Sequence, residues 1–416
     1  MTGGIFNKTS AFALVAAAGL MMGGLTFATT SAKAADLGAD DLEARVAELE
    51  ATTVHKGNRK VSLEISGQVN RALVAWDDGV NSDANIVDND QSSTRFRMKG
   101  TGTISSDLKA GFLIEIGVND ALSSAVSSAN DEGAGEDNVY KTRQANVFFE
   151  SKTFGRITLG QGSPATDDLA LINLGGSLTD AGTYFNSGFT TSAGGTWGDL
   201  TNSSFYDSSR GDFVRYDTPA LYGFILSAAW GENDVWDIAL RFQKQFADFR
   251  VAAGVGYYYN GDPHGTNDLR NGARAKKYDK VFGSASVMHV PTGLFVSGSA
   301  GGMTTTDASG VEHDSSFWYI NPGITKRFMD YGATTVSVEF GQYEDIGAVG
   351  VVGGLTGSNV DRYGFGIVQA FDGAALEVYA QYHHYEGDVT TGVGQAARTV
   401  DLEEWDAVVT GMKLKF

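Results

Sequence analysis

The feature that most limits how this chain can fold is an alternation of apolar with polar or small residues, period two, repeated from Val61 to the last residue. Leu108, Ala110, Phe112, Ile114, Ile116 and Val118 make one unbroken apolar face. Phe249, Val251, Ala253, Val255, Tyr257 and Tyr259 make another, with Arg250, Gly254 and Gly256 between them. Val61, Leu63, Ile65 and Val69 repeat the pattern near the start, and Leu376, Val378, Ala380 and Tyr382 near the end. Side chains of a strand point alternately to its two faces, so each segment reads as a strand with one apolar side. About sixteen such segments fit between Val61 and Phe416, at roughly ten residues per strand plus connections. The last, Trp405 to Phe416, sets Val408, Met412 and Leu414 on one face, with Thr410 among them. Val409, Gly411, Lys413 and Lys415 fall on the other, and the segment ends on an aromatic with no polar tail. An open edge of this kind invites aggregation. Pairing with the first strand removes the edge and closes the sheet.

Connections alternate in length. Short ones fall at 105–107, 152–155, 247–248, 291–293, 329–332 and 372–373. Long polar ones fall at 77–93, 120–139, 163–211, 260–278, 304–315, 344–361 and 387–404. Short turns at one rim and long loops at the other are the plan of an up-and-down barrel. Helical membrane spans need about 20 consecutive apolar residues. No such run follows the first 35 positions. Trp76, Tyr140, Phe154, Tyr216, Tyr222, Trp230, Trp318, Tyr343, Tyr385 and Trp405 lie near strand ends, where belts at two membrane interfaces would hold them. The expected fold is all-β: a transmembrane antiparallel β-barrel over residues 57–416.

Residues 1–34 have the form of a secretory signal. Lys8 precedes a run of small and apolar residues from Ala11 to Phe27, and Ala32-Lys33-Ala34 supplies the cleavage pattern. Residues 35–56 read as a short helix. Ala39, Leu42, Val46 and Leu49 follow 3-4-3 spacing, a coiled-coil seam. About two heptads are too short to stand alone. The segment either joins copies of itself or lies as an amphipathic helix against the barrel rim.

The chain resembles the general porins of Gram-negative bacteria, and among them the porins of alphaproteobacteria. The carriers are the basic second strand Thr94-Arg95-Phe96-Arg97, the stretch from Arg215-Tyr216-Asp217-Thr218-Pro219 to Leu221-Tyr222-Gly223-Phe224, the terminal Phe416, and the start Lys56-Gly57-Asn58-Arg59-Lys60-Val61-Ser62 after the helix. The resemblance implies sixteen strands, a homotrimer, a third outer loop folded into the pore, and Phe416 as a signal to the barrel-assembly machinery. It implies an outer-membrane, multi-pass location among lipid and lipopolysaccharide. The implied function is a water-filled channel for passive diffusion of ions and small hydrophilic solutes.

Parity then assigns faces. Arg95, Arg97, Lys99, Arg156, Arg215, Arg241 and Arg250 oppose the apolar residues of their strands. They should face the lumen, because such a charge on the lipid face costs about 2–4 kcal/mol at the midplane. Arg143 shares parity with Ala145, Val147 and Phe149. Either it lies beyond the hydrocarbon edge or the register shifts by one there. The segment 163–211 matches the family's constriction loop in order and is too long for an ordinary connection. It carries Asp167, Asp168, Asp180, Asp199 and Asp207, and Arg210 as its basic residue. A local helix is expected over Ala165–Leu174, with Asp167 and Asp168 in its first turn. An acidic loop facing a basic wall would select solutes by size and sign.

With 50 acidic against 31 basic residues the net charge is -19, which argues against a nucleic-acid partner. It favours cations at the vestibule, while the lumen arginines oppose them. The chain has no cysteine, hence no disulfide or thiolate site. His383 and His384 point to opposite faces of a strand and cannot jointly grip a metal. No nucleophile elbow, phosphate loop or zinc-protease motif occurs, so no catalytic residue, cofactor or metal is expected. Two rivals differ in class. A solute-specific channel would need a lumen track, and Tyr258, Tyr379 and Phe148 have the parity without forming one. An outer-membrane barrel enzyme such as a lipase would need a Ser–His pair on the outer wall.

Overall fold

The computed structural model describes residues 60–118, 120–130, 133, 140–176, 185–201, 208, 210–232, 234–261, 275–307, 310–346, 355–392 and 394–416. The whole stretch before Lys60, with the expected signal (1–34) and helix (35–56), lies outside them, as do Asp180 and Asp207. Among the described residues the strands are β1 (Ser62–Asp77), β2 (Ser82–Asp88), β3 (Arg95–Thr103), β4 (Leu108–Val118), β5 (Tyr140–Ser151), β6 (Gly155–Gly162), β7 (Gly211–Asp217), β8 (Phe224–Gly231) and β9 (Val235–Phe246). They continue as β10 (Phe249–Asn260), β11 (Ala275–His289), β12 (Leu294–Asp307), β13 (Glu312–Met329), β14 (Gly332–Glu344), β15 (Leu355–Phe371), β16 (Leu376–Thr391), β17 (Arg398–Asp401) and β18 (Trp405–Lys415).

All of them join one antiparallel sheet that closes on itself. β1 pairs with β18 from Gln68–Lys415 to Asp77–Asp406. Gly67 and Phe416 exchange backbone hydrogen bonds of 2.9 and 3.0 Å below that ladder. β2 and β3 pair successively with the two halves of β1, and β17 and β18 with the two halves of β16. Each of these pairs is therefore one interrupted stave, and the barrel has 16 strands in the sense of the sequence reading.

The alternation decides which side of the sheet meets what. Ile65, Val69, Val147, Phe149, Ile157, Leu159, Val255, Val338, Phe365 and Leu414 are exposed on the outer surface. Exposed apolar surface of that extent belongs against hydrocarbon. The opposite parity is buried inside, and much of it is polar: Gln68, Asn70, Asn146, Ser227, Asp237, Ser284, Ser286, Glu339 and Gln381.

Three expectations change. Strands are longer than ten residues where the chain rises beyond the membrane, up to the 18 residues of β13. As a result β2 and β17 occupy stretches read as loops. The aromatics divide as well. Tyr140, Phe154, Tyr216, Tyr222, Trp230 and Trp318 are exposed, but Trp76, Tyr343, Tyr385 and Trp405 are buried within. Those four have inward parity; Trp76, Tyr385 and Trp405 pack with aromatics of the long loop, and the Tyr343 hydroxyl accepts from Arg362 at 3.3 Å. Third, Arg143 has no register partner: Glu115 pairs with Gln144 and Ile116 with Thr142. The extra residue is a β-bulge, which re-aims its side chain. It turns inward, so the register does shift by one.

Candidate functional site

The segment after β6 does not leave the barrel. It runs along the inner wall, held by side chains that the strands present there. Buried Asp237 on β9 accepts from the backbone N–H of Ala165 at 3.1 Å and of Thr166 at 2.6 Å, and from the Thr166 hydroxyl at 2.7 Å. Arg215 on β7 donates Nη1 to the Pro164 carbonyl at 2.7 Å, while its other nitrogens hold Asp217. Arg241 on β9 donates Nη2 to the Asp167 carbonyl at 2.7 Å. Further along, Ser284 and Ser286 on β11 accept from the N–H of Ile172 and Leu174. Asn173 donates to Asn321 on β13 at 3.0 Å, and Thr335 on β14 donates to the Gly175 carbonyl at 3.0 Å.

Close approach needs missing side chains. A Cβ at Gly254 would lie 2.5 Å from Leu169 Cδ2, and one at Gly256 would lie 2.6 Å from Leu169 Cδ1. Glycine here lets the loop lie flat on β10.

The wall's grip also explains why the expected helix over Ala165–Leu174 does not form. The two serines take the N–H groups of Ile172 and Leu174, which a helix would bond to its own carbonyls. One 3-10 turn, Leu169–Leu171, remains, and Asp168 before it has φ 61°, the left-handed region. A non-glycine residue there is uncommon and strained.

The two aspartates are therefore not equivalent. Asp167 is buried, with Arg210 at 3.6 Å. Asp168 is exposed to the lumen. The walls crowding it raise its carboxyl above the ordinary range, and neighbouring Asp167 adds to the rise. Arg210, Arg241 and Arg95 act in the opposite sense. Asp199 belongs elsewhere: it is buried in a capping box with Thr196, accepting from Thr196 N at 2.8 Å.

Of the basic residues picked from parity, Arg95, Arg97, Arg156, Arg215 and Arg241 are half-buried inside the barrel, and Lys99 and Arg250 are exposed on the same inner parity. Arg156 lies over the Phe148 ring at 3.9 Å. Arg97 bonds Glu115 on β4, which also accepts from Arg143 at 2.7 Å. Glu115 is 1% exposed. It was legible as the polar interruption of the inward face of β4. Arg143 was hidden by the bulge.

The later part of the loop crosses to the other wall. Phe189 meets Trp76 at 4.6 Å and Trp405 at 5.4 Å, Trp197 faces Tyr385 at 6.2 Å, and Phe185 stacks on His383 at 5.2 Å. Beneath lies a buried group that sequence reasoning missed. Glu339 on β14 accepts from Arg362 Nη2 on β15 at 2.8 Å and sits 2.7 Å from His383 on β16. Nothing local in the sequence links these three, because the contacts cross neighbouring staves.

A closed barrel that is apolar outside, polar inside and partly filled by its own loop is a transmembrane channel. The chain belongs to the Gram-negative porins, whose family model matches residues 11–400. No curated protein matches it by sequence. Its fold is similar to that of an anion-selective porin from Comamonas acidovorans, at 14% identity and TM-score 0.57 over 86% of this chain and 100% of that one. It is similar to OmpT of Vibrio cholerae in trimer form, at 13% and 0.55 over 86% and 99%. It is also similar to the outer-membrane channel DcaP of Acinetobacter baumannii, at 12% and 0.54 over 87% and 99%. The protein is thus an outer-membrane, multi-pass porin in contact with lipid and lipopolysaccharide. It passes ions and small hydrophilic solutes by diffusion and is a transport protein.

Proposed function

We propose that solutes pass between Asp168 on the loop and a basic wall made of Arg95, Arg97, Lys99, Arg156, Arg215, Arg241 and Arg250. The observation that carries this is Asp168 itself: strained, exposed to the lumen, and set among buried neighbours. Asp180 and Asp207 add negative charge to the same loop in this reading, while Asp167 is largely offset by Arg210. Charges within a Debye length, about 8 Å at physiological salt, act on a passing ion.

The chain works as a homotrimer in the manner of alphaproteobacterial porins, with residues 1–34 removed on export. The seam at Leu42, Val46 and Leu49 helps hold three copies. One similar structure is described as a trimer form, and the start Lys56–Ser62 supports the narrower kinship. Phe416 is the residue offered to the barrel-assembly machinery.

Reversal potentials in planar bilayers under a KCl gradient test the passage. Arg95→Gln with Arg97→Gln should raise cation over anion permeability, more at low salt than at high. An unchanged reversal potential at low salt would remove these residues from the passage.

A further inference from the structure

On the outer face of the barrel, an apolar row gives way to ligands. β16 turns Val378, Ala380 and Tyr382 outward, then His384 and Glu386. β18 sets Asp406 opposite His384 in register, and Glu404 lies in the connection just before it. One donor atom from each of His384, Glu404 and Asp406 lies within 4.8 Å of the others.

The histidine is held rather than loose. Tyr363 stacks on its ring at 4.3 Å, and the residue is 4% exposed. Nδ1 lies 2.8 Å from Asp406 Oδ1, which also accepts from the Tyr382 hydroxyl at 2.6 Å. Nε2 is buried without a hydrogen-bond partner, with Glu386 Oε2 3.8 Å away. Leaving a buried polar atom unsatisfied costs on the order of 1–3 kcal/mol. With Nδ1–H donated to a carboxylate, Nε2 carries the lone pair, the form in which imidazole binds a metal.

We propose that His384 Nε2, Glu386 and Glu404 form a divalent-cation site of the zinc class on the outer wall, with Asp406 orienting the imidazole from Nδ1. Imidazole combined with carboxylates suits zinc and its neighbours, whereas calcium and magnesium take all-oxygen shells. Zinc bonds of about 2.0–2.2 Å place tetrahedral ligand atoms roughly 3.4 Å apart. The exposed Glu404, in a connection rather than a ladder, can make the small closing movement. Three carboxylates around one imidazole leave a negative pocket that a dication neutralises. The bound ion would clip β16 to the connection that enters β18, next to the seam that closes the barrel.

The test uses untagged, assembled barrels in detergent, stripped with a chelator and titrated with zinc chloride alone. Calorimetry and bound-metal analysis should give one zinc per chain, undisplaced by equal magnesium or calcium. His384→Gln should weaken binding by about 100-fold, the upper end for disturbed metal sites. Glu404→Gln should weaken it too, while His289→Gln and His313→Gln should not. Heat-modifiable migration on gels reports folding separately, and Glu404→Gln decides if His384→Gln fails to assemble. Zinc uptake equal in wild type and Glu404→Gln would overturn the site, as would no uptake by wild type. Calcium or magnesium binding that survives His384→Gln would mean an all-oxygen site and would overturn the zinc assignment.

Discussion

Arg143 Nε donates to Glu115 Oε1 at 2.7 Å between neighbouring strands on the inner wall of the barrel, and it reaches there because one extra residue bulges out of register in β5. Glu115 holds Arg97 with its other oxygen, so one carboxylate offsets part of the charge of two arginines. Glu115→Gln should shift permeability toward anions. A unit charge acting at about 4 Å through water is worth about 1 kcal/mol, roughly fivefold in local ion ratio. The shift read from reversal potentials should stay at or below that and shrink with added salt. No shift at low salt would place this cluster off the ion path.

Asp168→Asn should lower cation permeability, and by more than Asp167→Asn, whose buried carboxylate already faces Arg210. The same measurement on the two single variants decides it. Equal effects would mean that exposure to the lumen does not set the weight of a charge here.

Acidification supplies an independent check. The carboxyl of Asp168 is raised, so it takes up a proton at a higher pH than an ordinary aspartate. Protonation removes the negative charge, so cation preference should decline as pH falls toward the acid range. In Asp168→Asn this early part of the decline should be absent. A wild-type profile that matches the variant would dissociate Asp168 from the pH response.

Asp237→Ala removes the acceptor for three donors of Ala165 and Thr166. Each group left unsatisfied costs about 1–3 kcal/mol, which loosens the start of the loop while the β9 ladder stays intact. Single-channel records should show added current fluctuation. Gly254→Val should act differently, because its side chain would push Leu169 and Ile172 from the wall into the passage and lower unit conductance. Quiet, full-size openings in both variants would argue that the loop is not held by this wall.

Phe416→Ser should reduce assembled protein in the outer membrane while export continues. Phe416 closes the barrel through backbone atoms shared with Gly67, which serine retains, so a loss would be due to the aromatic ring. Unchanged heat-modifiable protein on gels would remove that role.

The period-two pattern was enough by itself to indicate strands, their approximate number, their faces and the closing role of the last segment, since a side chain's face follows from its position in the strand. Inward parity likewise identified Arg95, Arg97, Arg215 and Arg241. Tertiary structure alone decided what parity cannot carry. One inserted residue in β5 reversed the facing of Arg143. The wall's acceptors and two glycines drew residues 163–176 into turns and a single 3-10 turn where local preference suggested a longer helix. Trp76, Tyr385 and Trp405 joined aromatics of the loop because the loop occupies the lumen. Asp167 and Asp168, adjacent in the chain, received opposite surroundings from a single left-handed residue. Glu339 with Arg362 and His383, and His384 with Asp406, meet across staves, at separations that a pattern of neighbours along the chain does not record.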